Sequence, residues 1–198
     1  MTFTHSTHSK HDKIQAGNAT AEVITECLPF ITNVLELGGG SGKLTKLILE
    51  NSFATVDVYE HKQKYQDIMR EELQGYEARY ALIPDYKILP PKREYDLVIV
   101  DGGGRGAIDE CDFPQGIWFY LKSLESVRYI IIEGQRRMQK HWILDAIKDK
   151  YVYEVEKFDD PTGYKKISTL LTLKPCSNWF LRKANQLRNN RKVVKKFV

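Results

Sequence analysis

The sequence predicts an α/β domain built on a seven-stranded, mainly parallel, doubly wound sheet with an antiparallel edge hairpin and helices on both faces. Three observations predict it. Short apolar runs alternate with segments of helical spacing from about residue 18 to residue 175. Glycine-rich breaks follow two of the runs, at 38–42 and 102–104. The length, 198 residues, suits one domain and is too short for two of ordinary size.

The first helix is expected in "NATAEVITECLPF", where Val23, Ile24, Cys27 and Leu28 share a face behind an Asn18 cap and Pro29 marks the end. "NVLEL" is the first strand. Residues 43–50 form a helix with Leu44, Leu47 and Ile48 on one side, and "TVDVYE" is the second strand. A helix over 63–73, a short strand "YALI" and the apolar strand "DLVIVD" follow. Asp112, Pro114 and Gln115 read as a helix start, with a capping carboxylate, a first-turn proline and a glutamine that reaches back. "VRYIIIEG" is the fifth strand, 138–148 the next helix, and "YVYEVEKF" and "ISTLLTL" the closing antiparallel pair. The expected organisation is a polar arm over 1–17, a core domain over 18–175 and a basic C-terminal helix or tail over 176–198.

Composition narrows the class. Hydrophobic residues at 42% and charged residues at 28% belong to a folded globular protein rather than a disordered one. No apolar run reaches membrane-spanning length, and "MTFTHSTHSKHDK" is polar where a signal peptide is apolar, so a cytoplasmic protein is expected. Cys27, Cys111 and Cys176 lack paired spacing and are expected to be reduced, buried thiols. His5, His8 and His11 lie in a Ser/Thr-rich stretch without a supporting ligand cluster and are expected to be solvated.

Of the 30 basic residues seven stand from Asn178 onward, where there is no acidic residue, so the other 23 are outnumbered by the 26 acidic ones. The positive field is concentrated in the tail. Phe180, Ala184, Leu187 and Val194 fall near one helical face there. The first half is expected to dock Trp179, Phe180 and Leu187 on the core. From Arg188 on, the tail is basic enough to meet an anionic partner, either a membrane surface or nucleic-acid phosphates.

The stretch "VLELGGGSGKLT" carries the chemistry. A Walker phosphate loop needs Gly-Lys-Ser/Thr, and here Leu44 follows Gly42-Lys43. A dinucleotide fingerprint starting at Gly38 and Gly40 needs a third glycine where Lys43 stands. The pattern the loop does satisfy is Glu-x-Gly-x-Gly-x-Gly, through Glu36, Gly38, Gly40 and Gly42, with Gly39 between them. Four glycines in five positions are costly unless something approaches the backbone. Glu60 then ends the second strand, where a carboxylate is able to accept from both hydroxyls of a ribose.

The loop and Glu60 together resemble the class I S-adenosylmethionine-dependent methyltransferases, over about residues 34–173. The resemblance implies S-adenosylmethionine as cofactor. It implies that Glu36 and the glycines meet the methionine portion, that Glu60 and the adjoining His61 meet the ribose, and that Ile83 and Asp101 complete the cofactor site. It places the end of the fourth strand, "VDGGGRG", beside the methyl group, with Asp101 the first candidate to accept the nucleophile's proton and Glu133 and His141 the alternatives. Gly103 and Arg105 are candidate substrate contacts, the guanidinium facing a carboxylate or phosphate.

The family's subdivisions differ at this point. The Asn/Asp-Pro-Pro-Tyr run of amino-methylating enzymes is replaced here by Asp101-Gly102-Gly103-Gly104. Of the Lys-Asp-Lys-Glu set of ribose 2'-O-methyltransferases, Asp101 matches and Lys13 matches loosely, while Glu133 stands where the second lysine belongs. The Asp-Gly ending resembles small-molecule and sugar O-methyltransferases. "EGQRR" lacks the acidic pair of the metal-dependent ones, so no metal is expected. The expected function is O-methylation of a small-molecule or saccharide hydroxyl or carboxyl group. The alternatives are an RNA methyltransferase gripping phosphates through its tail and a catalytically inactive S-adenosylmethionine-binding partner subunit.

Overall fold

A computed structural model of the chain describes residues 18–85, 88, 91, 94–102, 126–134, 136–159, 167–191 and 194–197. Four parallel strands make up one half of its sheet, with the third at the edge: β1 (Asn33–Leu37), β2 (Thr55–Tyr59), β3 (Tyr80–Ile83) and β4 (Leu97–Val100). β5 (Tyr129–Glu133) extends them in parallel beside β4, and β6 (Tyr151–Asp159) and β7 (Ile167–Pro175) form the antiparallel pair. The order β3-β2-β1-β4-β5-β7-β6 reverses between β1 and β4, which opens a crevice at the carboxyl ends of those strands.

The seven expected strands are joined by an eighth. β8 (Val194–Phe197) pairs in parallel with β6 from Glu156 to Asp159, so the hairpin lies one strand inside the sheet edge. The sequence "VKKF" carries no alternation strong enough to announce a strand. Its partner, the open edge of β6, supplies the pairing.

β1, β2, β4 and β5, inside the sheet, are buried on both faces, as their largely apolar runs require. On one side α1 (Asn18–Cys27), α2 (Lys43–Asn51) and α3 (Gln63–Glu72) cover Val34, Val56, Val58, Leu97, Ile99 and Ile131. On the other, α4 (Arg137–Ile147) packs Ile143, Ala146 and Ile147 against Leu35, Val98 and Ile130. Pro29 sits in a 3-10 turn that ends α1. Arg79 closes α2, donating to the carbonyl oxygens of Leu49, Ser52 and Ala54 at 2.9, 2.6 and 2.8 Å. The helix expected from Asp112, Pro114 and Gln115 lies outside the described residues, as do Cys111, the histidines of the arm and Lys13.

Cys27 is buried, and burial, with Glu26 and Glu156 nearby, pushes its thiol up to about 12, which makes it inert. Cys176 is only half-buried, against expectation, because it stands just past β7 where the chain leaves the sheet.

The last helix, α5 (Trp179–Arg191), docks opposite to expectation. Trp179, Phe180 and Leu187 are exposed, and the face turned to the sheet is polar. Asn185 accepts from the Tyr153 amide at 2.8 Å and donates to the Tyr153 carbonyl at 3.0 Å, Asn189 donates to the same carbonyl at 2.6 Å, and Gln186 donates to the Lys148 carbonyl at 3.0 Å. The physical reason is the edge of β6. Backbone groups at Tyr153 lie before β8 begins to pair, and amide side chains satisfy them where leucines would not.

Candidate functional site

Four acidic residues stand where β1, β2, β4 and β5 deliver their carboxyl ends. Strand alternation puts Glu36 in step with Val34, Glu60 with Val56 and Val58, Asp101 with Leu97 and Ile99, and Glu133 with Ile131, all on the face covered by α1, α2 and α3. Leu37 pairs with Tyr59 and with Val100, and Val100 with Ile132. Gly38, Glu60, Asp101 and Glu133 therefore follow at one level across the sheet, and Glu36 sits one pleat below. All four carboxyl groups are buried.

Glu36 is fully enclosed. Its Oε2 accepts from the Thr45 hydroxyl on α2 at 2.6 Å, and its Oε1 is buried with no hydrogen-bond partner. Burial raises its pKa to about 8, opposed by the Thr45 hydrogen bond and reinforced by the carboxylates of Asp101 and Glu60. At neutral pH this group holds its proton.

Glu60 fixes the loop. Its Oε2 accepts from the Gly40 amide at 3.0 Å and its Oε1 from the Lys62 amide at 2.8 Å, while its own amide donates to the Ile83 carbonyl at 3.1 Å. Gln66 on α3 donates to the Glu60 carbonyl at 2.8 Å. A carboxylate has about four acceptor positions, so two remain for a ligand's hydroxyls. His61 is partly exposed, with Nδ1 3.7 Å from Glu60 Oε1, and Ile83 is buried beneath the same corner.

The glycines answer first to the protein itself. Gly38, Gly40 and Gly42 have φ of 97°, 54° and 81°, in the left-handed region. A Cβ on Gly38 would fall 2.1 Å from the Gly102 Cα, and one on Gly39 would fall 2.3 Å from the Met69 Cε and 2.4 Å from the Val58 Cγ2. The loop after β1 thus rests directly on the loop after β4. The amides of Asp101 and Gly102 both donate to the Leu37 carbonyl, at 3.0 and 2.5 Å.

Sequence reasoning missed Arg136. From just before α4 it donates to the Gly102 carbonyl at 2.9 Å and to the Asp101 carbonyl, and its Nη2 lies 3.4 Å from Asp101 Oδ1. The guanidinium anchors the end of β4 and partly balances the Asp101 charge. Nothing in "EGQRR" distinguishes it from a solvated arginine. Glu133 ends β5 opposite Ser168 on β7, whose hydroxyl bonds to that of Thr20. His141 is exposed on α4. Gly103 and Arg105 lie outside the described residues. Among the described residues no three His, Cys, Asp or Glu side chains are grouped to hold a metal ion, and no helix is long and apolar enough to cross a membrane.

No protein-family model matches the chain, and no curated protein matches it by sequence. Solved structures match its shape. The O-methyltransferase domain of StiE (residues 961–1257) is 13% identical with a TM-score of 0.62, covering 89% of this chain and 80% of that one. Precorrin-6y C5,15-methyltransferase from Geobacter metallireducens is 16% identical, TM-score 0.60, covering 86% and 94%. The N-methyltransferase NodS from Bradyrhizobium japonicum, solved with S-adenosyl-L-homocysteine, is 9% identical, TM-score 0.55, covering 79% and 85%. At such identities the likeness is one of fold.

Proposed function

We propose that this chain, whose fold is that of the class I S-adenosylmethionine-dependent methyltransferases, transfers a methyl group from S-adenosylmethionine to a hydroxyl or carboxyl group of a small molecule or saccharide. The observation that carries the cofactor reading is the row of buried carboxyl groups around the glycine loop. A crevice that gathers Glu60 and Asp101, with Glu36 able to ionise beside a cation, is suited to a ligand carrying positive charge, and S-adenosylmethionine has a sulfonium and an ammonium. The buried Glu36 Oε1 that lacks a partner fits the same reading.

When bound, the cofactor supplies a methyl group on positively charged sulfur. Glu60 would accept from the ribose hydroxyls with the positions its two amide contacts leave open, and Ile83 would wall the neighbouring base. Glu36 and the amides of the 38–42 loop would hold the methionine end. Asp101 would orient the acceptor oxygen and take its proton, with Arg136 stabilising the carboxylate between turnovers. Glu133, at the same level one strand away, is the alternative base.

Glu60→Ala is expected to weaken S-adenosylmethionine binding by about 1.5 to 3 kcal/mol, the value of a hydrogen bond to a charged group. Titration calorimetry reads this directly, and unchanged affinity would remove Glu60 from the cofactor site. Asp101→Asn should lower kcat by about tenfold or more while weakening S-adenosylmethionine binding less than Glu60→Ala does. Normal turnover in that variant would move the base to Glu133, to be tested as Glu133→Gln.

The acceptor class rests on the Asp101-Gly102 ending and is tested by transferring labelled methyl from S-adenosylmethionine into an extract of the source organism, with and without ribonuclease. Label that survives the nuclease and partitions with small molecules or glycans supports the proposal. Nuclease-sensitive label would make the acceptor RNA.

A further inference from the structure

The face of α5 that points to solvent is the apolar one. Trp179, Phe180, Leu181 and Leu187 are 55%, 77%, 58% and 61% exposed, and the exposed Lys183 and Arg188 stand among them. The opposite face has no need of apolar cover, since Asn185, Gln186 and Asn189 have already tied it to backbone groups of the sheet and its flank. A helix attached by its amides, with aromatic and aliphatic side chains turned outward, is positioned to bury them in something else.

We propose that this face docks on an anionic lipid membrane, with the helix lying in the plane of the interface. Three features select that occupant. Exposed aromatic and aliphatic side chains beside exposed lysine and arginine combine the two attractions that hold a helix at an anionic headgroup boundary, buried apolar area and charge. From Asn178 to the end no acidic residue is present to oppose a negatively charged surface, while the rest of the chain has more acidic than basic residues. The third feature is the presence of Leu181 and Leu187: bases stack on aromatic rings and arginines, and two exposed leucines contribute nothing to a single-stranded nucleic acid, whereas each gains by entering an acyl layer. A second copy of the chain is disfavoured because an isologous contact through this face would bring like charges together.

The full chain should co-sediment with vesicles of phosphatidylcholine and phosphatidylglycerol and not with vesicles of phosphatidylcholine alone, and salt should release it. Lys183→Glu and Arg188→Glu should each reduce the partition coefficient by roughly fivefold or more, the value of one basic residue near such a surface. Phe180→Ser and Leu187→Ser should each reduce it by about tenfold, and because both side chains are exposed these variants keep the fold and their cofactor affinity. The proposal is overturned if neither vesicle binds. It is also overturned if the serine variants bind anionic vesicles as the wild type does, if a single-stranded polynucleotide is retained and displaces the vesicles, or if light scattering shows a dimer that Leu187→Ser dissolves. Methyl transfer is measured separately, so loss of the membrane contact leaves the proposed reaction untouched.

Discussion

Gly38→Ala is expected to lose about 2 to 5 kcal/mol of folding stability, enough to unfold a domain of ordinary stability in the cell. Two independent costs add. The residue sits at φ 97°, where an L side chain meets the following carbonyl, at about 1 to 2 kcal/mol. The new methyl would also stand 2.1 Å from the Gly102 Cα and 2.3 Å from its amide nitrogen. These are backbone atoms held by the Leu37 carbonyl and by Arg136, so no rotamer change relieves the contact, and parting the two loops costs about 1 to 3 kcal/mol more. Gly75→Ala provides the control, because Gly75 has φ 93° with nothing within 4 Å of the new Cβ. It should show the backbone cost alone. Urea unfolding of the two variants side by side isolates the contact, and equal losses would mean that the two loops do not touch in solution.

That contact also marks how far the glycine loop was legible. The run of glycines signals a close approach, and the sequence assigns it to a ligand. In the structure the atoms that approach Gly38, Gly39 and Gly42 belong to Gly102, Val58 and Met69. Sequence spacing records that space is scarce around a backbone without recording what fills it. The motif is informative because the same tight junction of β1 and β4 places Glu36, Glu60 and Asp101 around one crevice.

The parallel strands were legible for a simple reason. A strand buried on both faces is a largely apolar run, and a carboxylate closing such a run stands out, as Glu60, Asp101 and Glu133 do, while Glu36 is marked by the glycine pattern that follows it. Polar side chains that satisfy backbone groups leave no comparable trace. Arg136, which fastens the end of β4, and Asn185, which closes the edge of β6, read in the sequence as ordinary surface residues. The orientation of α5 was misread for the same reason. Of the residues expected on one apolar helical face, Phe180, Ala184 and Leu187 are in α5 and exposed, while Val194 stands in β8; the sheet edge required amides, and the helix turned accordingly.

Glu36→Gln should change how stability depends on pH, and the direction follows from linkage. Burial lifts the folded-state pKa from 4.5 to about 8, so between those values the folded chain binds a proton that the unfolded chain has released. Wild-type stability should therefore fall as pH rises through that window and level off above it. Glutamine imitates the protonated acid, accepts the Thr45 hydrogen bond and never ionises. The variant should equal the wild type near pH 4.5 and exceed it by a margin that grows to the order of 4 kcal/mol by pH 9. The same variant should bind S-adenosylmethionine more weakly. A cation beside Glu36 favours the ionised acid, so wild-type binding should release a proton below pH 8 that the variant does not release. Calorimetry in buffers of different ionisation enthalpy counts those protons. The ligand's own amine titrates in the same range, and the difference between the two proteins removes it. A variant with the wild-type slope of stability against pH would show that Glu36 is ionised in the free protein, and equal proton release would place the cation elsewhere in the crevice.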